Sequence, residues 1–88
     1  MINITVLFFA SLRDELGVGE CQLQLDAAGL EPLRQALAAR LGKSADLLWA
    51  DNVRMARNQS LLSPKQLTAD LCFADGDELA FLPPVTGG

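Results

Sequence analysis

The sequence predicts an α+β domain, a mixed sheet of about five strands packed on one main helix. Three observations predict it. Apolar residues alternate at both ends of the chain, one stretch between them has helical apolar spacing, and 88 residues suffice for one hydrophobic core. Half of the residues are apolar and a fifth charged, as in an ordinary globular domain.

Ile2–Ala10 is rich in β-branched and aromatic residues, and one parity (Ile2, Ile4, Val6, Phe8) is wholly apolar, which predicts a strand with one face on a core. The other parity starts polar at Asn3 and Thr5 and turns apolar at Leu7 and Phe9. A helical turn over Ser11–Leu16 is broken by Gly17-Val18-Gly19. Cys21, Leu23 and Leu25 then alternate with polar residues, predicting a hairpin partner for the first strand. Leu30, Leu33, Leu37 and Leu41 form one helical stripe. Pro32 fits only its first turn, where the missing N–H costs nothing, so the helix starts near Leu30. Gly42 is placed to close it in a left-handed cap. Ala45–Ala50 predicts a further helical turn.

Val53–Arg57 reads as a strand, and Asn58-Gln59-Ser60 as a turn into Leu61-Leu62. Ser63–Phe73 has no clear period. Asp75-Gly76-Asp77 is a turn, and Glu78–Leu82 is a last strand with Leu79 and Phe81 on one face. Pro83-Pro84 ends it, because proline donates nothing to a ladder. This order fits a β-grasp arrangement, with the first and fifth strands adjacent and parallel. Residues 1–84 form the domain and 85–88 a flexible tail.

Composition excludes several functions. With 11 acidic and 7 basic residues the net charge is −4, against nucleic-acid binding, which needs a basic face. No apolar run is long enough to cross a membrane, and no basic, cleavable leader opens the chain, so the expected location is cytoplasmic. Histidine is absent, which removes the usual general base and the commonest metal ligand. Cys21 and Cys72 alternate with apolar neighbours and read as small core residues; no metal site is expected. The carboxylates of Asp14, Glu15, Asp75, Asp77 and Glu78 read as solvated turn residues, and Trp49 as a core residue or helix-end plug. No nucleophile–base pair emerges, so the chain is not expected to catalyse alone.

What remains is the C-terminus. Gly87 and Gly88 follow a stiff Pro-Pro, and a Gly-Gly end can thread a narrow channel and offer its carboxylate to attack. Pro84 to Gly88 spans about 15 Å at roughly 3.3 to 3.6 Å per residue. Activation of that carboxylate requires a mixed anhydride, which ATP supplies by adenylation.

The run Asp75-Gly76-Asp77-Glu78-Leu79-Ala80-Phe81-Leu82-Pro83-Pro84-Val85-Thr86-Gly87-Gly88 closely resembles the molybdopterin synthase small subunits, ubiquitin-like proteins ending in a DGDEVAFxPPVxGG pattern. Val6–Ala10, Leu12–Gly17, Leu33-Arg34-Gln35 and Asn58-Gln59 also fit that family, so the resemblance covers nearly the whole chain. It implies a sulfur carrier without a permanently bound cofactor. An ATP-consuming adenylating enzyme of the ubiquitin-activating type would activate Gly88. A sulfur donor, such as a cysteine desulfurase or rhodanese-like protein, would convert it to a thiocarboxylate. The carrier would then insert Val85, Thr86, Gly87 and Gly88 into the large subunit and give sulfur to cyclic pyranopterin monophosphate. The family assembles as two small and two large subunits, with the catalytic side chains on the large one. Leu7, Phe9, Ala80 and Leu82, joined by Leu61, form the expected partner interface on the sheet face away from the helix. Ser63–Phe73 is longer than the family's corresponding stretch, which leaves the pairing of the fourth strand open. Two related roles share the tail: a carrier for thiamine biosynthesis and a ubiquitin-like protein modifier.

Overall fold

Parallel pairing of the first and last strands organises the molecule in a computed structural model that describes residues 1–68 and 70–83. β1 (Ile2–Phe8) lies between β2 (Glu20–Leu25), antiparallel to it, and β5 (Glu78–Leu82), parallel to it. β3 (Arg54–Arg57) pairs antiparallel with β5, and the two-residue β4 (Ser60–Leu61) edges the sheet, giving the order β2-β1-β5-β3-β4. This is the expected mixed five-stranded sheet with a helix on one face.

The apolar parities fill that face. Ile4, Val6 and Phe8 from β1, Leu23 and Leu25 from β2, Met55 from β3, and Leu79 and Phe81 from β5 are buried. Leu33 and Leu37 of α2 (Leu30–Leu41) complete the core, with Leu30 and Leu41 partly buried at the ends of the stripe. Phe8 and Phe81, opposite each other in the register, stack at 6.0 Å between ring centroids. Fully burying each such side chain contributes about 1.5–3 kcal/mol.

Several boundaries differ from the sequence reading. The first strand stops at Phe8, because Ala10 takes φ 50° and opens a short helix, Ala10–Leu16, labelled α1. Gly17 closes α1 in the left-handed region, its N–H donating to the Arg13 carbonyl. Gly42 does have positive φ (68°), but its ψ of −144° lies outside the left-handed helical basin. The chain continues there as a 3₁₀ run, Gly42–Trp49, so the predicted turn over Ala45–Ala50 begins earlier.

The unreadable stretch contains a 3₁₀ turn, Pro64–Gln66, fixed by a capping box in which the Ser63 N–H donates to Gln66 Oε1 at 2.7 Å. Phe73 is buried, and its N–H donates to the Ala28 carbonyl at 2.7 Å, pinning the segment beside the start of α2. Cys72, expected in the core, is exposed; Phe73 takes the core position. Among the described residues no helix is long and apolar enough to cross a membrane.

Candidate functional site

The residues expected to do the work, Val85, Thr86, Gly87 and Gly88, lie outside the described residues. The structure describes where the tail is rooted and what surrounds that root. β5 runs parallel to β1, so Leu82 and Pro83 emerge at the same end of the sheet as Phe9. The Phe9 N–H donates to the Phe81 carbonyl at 3.3 Å, extending the parallel ladder to that edge.

The register sets the outer face. Leu7 opposes Ala80, Ala80 opposes Ala56, and Ala56 opposes Leu61, so these four form one row across β1, β5, β3 and β4. Leu82, paired with Arg54, continues the apolar surface toward Phe9. Leu61 is 65% exposed and Phe9 43%, while Leu7, Ala80 and Leu82 are half-buried. Leu7, Ala80, Leu82 and Leu61 therefore share the face away from α2, and Phe9 follows β1 as the N-cap of α1. The sequence reading missed Ala56, which is 6% exposed yet stands apart from the core cluster. Its place in the row depends on the β3–β5 register, which a period alone does not supply. On β2 the same face turns polar, with Glu20 opposite Leu7 and Gln22 accepting from the Thr5 hydroxyl at 3.0 Å.

At the opposite end of β5 stands a polar knot. Asp77, expected as a solvated turn carboxylate, is 7% exposed. Arg57 Nη2 and Nε reach its Oδ2 at 2.7 and 2.8 Å, the Ala74 N–H donates to Oδ2 at 2.8 Å, and Asn58 Nδ2 donates to Oδ1 at 3.0 Å. Burial pushes this carboxyl up, but the hydrogen bonds from Ala74, Asn58 and Arg57, with the Arg57 charge, outweigh it and hold it below its ordinary value. Asn58 also exchanges hydrogen bonds with Glu78, its N–H to the Glu78 carbonyl at 2.7 Å and its Oδ1 from the Glu78 N–H at 2.9 Å. Asp75 accepts from the Asn3 N–H at 2.7 Å, so the turn is tied to β1 as well. These groups fix the start of the strand.

Burial pushes the Cys21 thiol up, against the pull of Arg40, which keeps it protonated in the core. Among the described residues no three His, Cys, Asp or Glu side chains gather as metal ligands.

The ThiS family model matches residues 6–88. The molybdopterin synthase sulfur carrier subunit of Escherichia coli is 41% identical over 85 residues, 97% of this chain and 99% of that one. The chain belongs to the ThiS family, among the molybdopterin synthase sulfur carrier subunits. Solved structures agree on the ubiquitin-like β-grasp fold of this family. SAMP1 from Haloferax volcanii superposes with a TM-score of 0.78 at 24% identity, covering 98% of this chain and 99% of that one. Subunit 1 or 2 in a complex of the molybdopterin-converting factor from Helicobacter pylori superposes at 0.69 and 24% identity, covering 99% of this chain and 100% of that one. The ThiS family match includes the tail positions 85–88 and the outer-face residues Leu7, Phe9, Leu61, Ala80 and Leu82.

Proposed function

We propose that this chain carries sulfur on the C-terminal carboxylate of Gly88 and delivers it within molybdopterin synthase. An adenylating enzyme joins the carboxylate to AMP with release of pyrophosphate from ATP. The outer sulfur of a donor persulfide then attacks the acyl carbon; the C–S bond forms as the C–O bond to AMP breaks, and a thiol cleaves the resulting acyl disulfide, forming a disulfide with the donor's sulfur and releasing the thiocarboxylate. Docked on the large subunit, the carrier passes this sulfur to cyclic pyranopterin monophosphate, and water restores the carboxylate. A dithiolene holds two sulfurs, so two carrier turnovers serve one product.

The observation that carries this reading is the apolar outer row, which reaches the root of the tail at Leu82 and Pro83. A partner covering Leu7, Phe9, Leu61, Ala80 and Leu82 holds the domain while the tail runs on from its rim. The full-length relatives named as sulfur carrier subunits, and the Helicobacter pylori complex of subunits 1 and 2, support the same pairing. The absence of histidine from the sequence suits a carrier whose catalytic side chains belong to its partner.

The test is the intact mass after incubation with ATP, an adenylating enzyme active on a known carrier, and a sulfur source. The expected result is the gain of one oxygen-for-sulfur exchange, lost entirely when Gly88 is deleted. No gain in the full chain overturns the reading.

A further inference from the structure

The two edges of the sheet are built differently. β4 is two residues long, which blunts its edge. β2, at the other edge, runs six residues in unbroken register with β1, without a bulge, a proline or a lysine. Its hydrogen-bonding parity is fixed. The Phe8 N–H donates to the Gly19 carbonyl at 2.9 Å, whereas the Thr5 N–H donates to Asp77 and the Phe9 N–H to Phe81. Even-numbered residues of β1 therefore face β2, and through the register they bond Gly19, Cys21, Leu23 and Leu25. The N–H and C=O groups of Glu20, Gln22 and Gln24 point away from the sheet. Among the described residues these backbone groups have no hydrogen-bond partner, and their side chains bond only each other and Thr5.

Such an edge is a template for another strand, and β2 is complementary to itself. Set antiparallel to a second copy with Gln22 opposite Gln22, Glu20 falls opposite Gln24, and every open N–H and C=O meets its counterpart. A shift by two residues either way carries one residue of each copy past the end of the other strand. Residues opposite each other share a face. The Glu20 carboxylate therefore faces an amide, and the two Gln22 amides face each other as donor and acceptor. The two Glu20 side chains stand four residues apart along the seam, about 13 Å at roughly 3.3 Å per residue. That exceeds the Debye length of about 8 Å at physiological salt. At each end Leu25 falls opposite Gly19. Arg13, whose Nε lies 3.2 Å from where a Gly19 side chain would begin, sets a positive charge there, near Asp26 of the other copy.

We infer that β2 pairs with β2 of a second copy in a twofold antiparallel seam centred on Gln22, joining two sheets into one. The twofold axis stands perpendicular to the sheet. Both copies of α2 therefore lie on one side, and both outer rows on the other, where Leu7, Ala80 and Leu82 stay uncovered. Self-pairing and the sulfur-carrying role use different surfaces, so a paired carrier keeps its partner face. A seam one strand long buries far less than a standard interface, so the dimer is weak and concentration-dependent.

The experiment follows sedimentation and amide resonances of the full chain from micromolar to millimolar concentration. The sedimenting mass should rise toward that of two copies. The amide-proton signals of Glu20, Gln22 and Gln24 should move at least threefold further than those of Cys21, Leu23 and Leu25, which already bond β1. Gln22→Pro removes only an outward N–H, a change an edge strand tolerates, and should weaken the association at least tenfold. Gln22→Lys and Gln22→Glu each place like charges on the axis and should weaken it too, while mixing the two variants restores it. That mixture decides the matter even where Gln22→Pro unfolds. A chain that stays monomeric at millimolar concentration overturns the inference. So does an association that Gln22→Lys leaves unchanged, or one that Phe9→Asp abolishes, which would belong to the apolar outer face.

Discussion

The two ends of β5 are built from opposite materials. At its start, Asp77 gathers Arg57, Asn58 and the Ala74 N–H into a buried polar knot. At its finish, Leu82 and Pro83 leave the sheet among Phe9, Leu7 and Ala80, with apolar surface facing outward. The first end is satisfied within the domain, while the second leaves Phe9 exposed and Leu7, Ala80 and Leu82 half-buried. A strand anchored at one end holds its far end in a fixed place, which the proposed sulfur-carrying tail would require of its origin.

Breaking the anchored end has the largest effect on the domain. Asp77→Ala leaves the Ala74 N–H, Asn58 and Arg57 without their acceptor, and should cost about 2–4 kcal/mol in urea unfolding. The pH dependence has a definite sign. The folded-state carboxyl lies below its ordinary value, so its stabilisation is complete above the usual carboxylate range and is lost as pH falls through the folded value. Unfolding midpoints followed from neutral to about pH 3 should show an acid-side decline that is reduced in Asp77→Asn.

Breaking the open end should spare the domain and weaken its partnership. Phe9 precedes α1 as an N-cap with no side-chain hydrogen bond, so Phe9→Asp supplies a favoured cap while placing a charge in the apolar surface. Titration against the large synthase subunit should show at least a tenfold loss of affinity, about 1.4 kcal/mol, with Leu82→Asp behaving alike. Unchanged affinity in both variants would remove the docking face from the proposal.

The smallest effect sharpens the anchored end. Asn58 and Gln59 hold φ of 50° and 73° in the two-residue turn between β3 and β4, where asparagine is tolerated and glutamine is strained. Gln59→Gly should stabilise the fold by about 0.5–1 kcal/mol, seen as a melting temperature higher by a few degrees.

The same contrast explains what the sequence made legible. β1, β2, α2 and β5 announce themselves through period, because each buries one face on a common core. The outer row was legible where parity sufficed, at Leu7, Phe9, Ala80 and Leu82. Ala56 was not, since its position depends on pairing between strands distant in sequence. Asp77 escaped for a different reason: an Asp-Gly-Asp run is a turn signal whether its carboxylates are solvated or sequestered, and only Arg57 and Asn58 arriving from β3 decide between the two. Ser63–Phe73 shows no period because its order comes from a capping box and from Phe73 reaching back to Ala28.

The parallel seam between β1 and β5 has a consequence for biogenesis. It joins segments made at opposite times in synthesis; the Asn3–Asp75 hydrogen bond alone spans 72 residues. Contacts so distant in sequence form late and slowly. The central strand of the sheet thus leaves the ribosome after the four strands it joins, and a nascent chain stays without its complete core until β5 has followed. A product terminated before β5 lacks the strand that joins β1 to β3, so its sheet is left in two unconnected pieces.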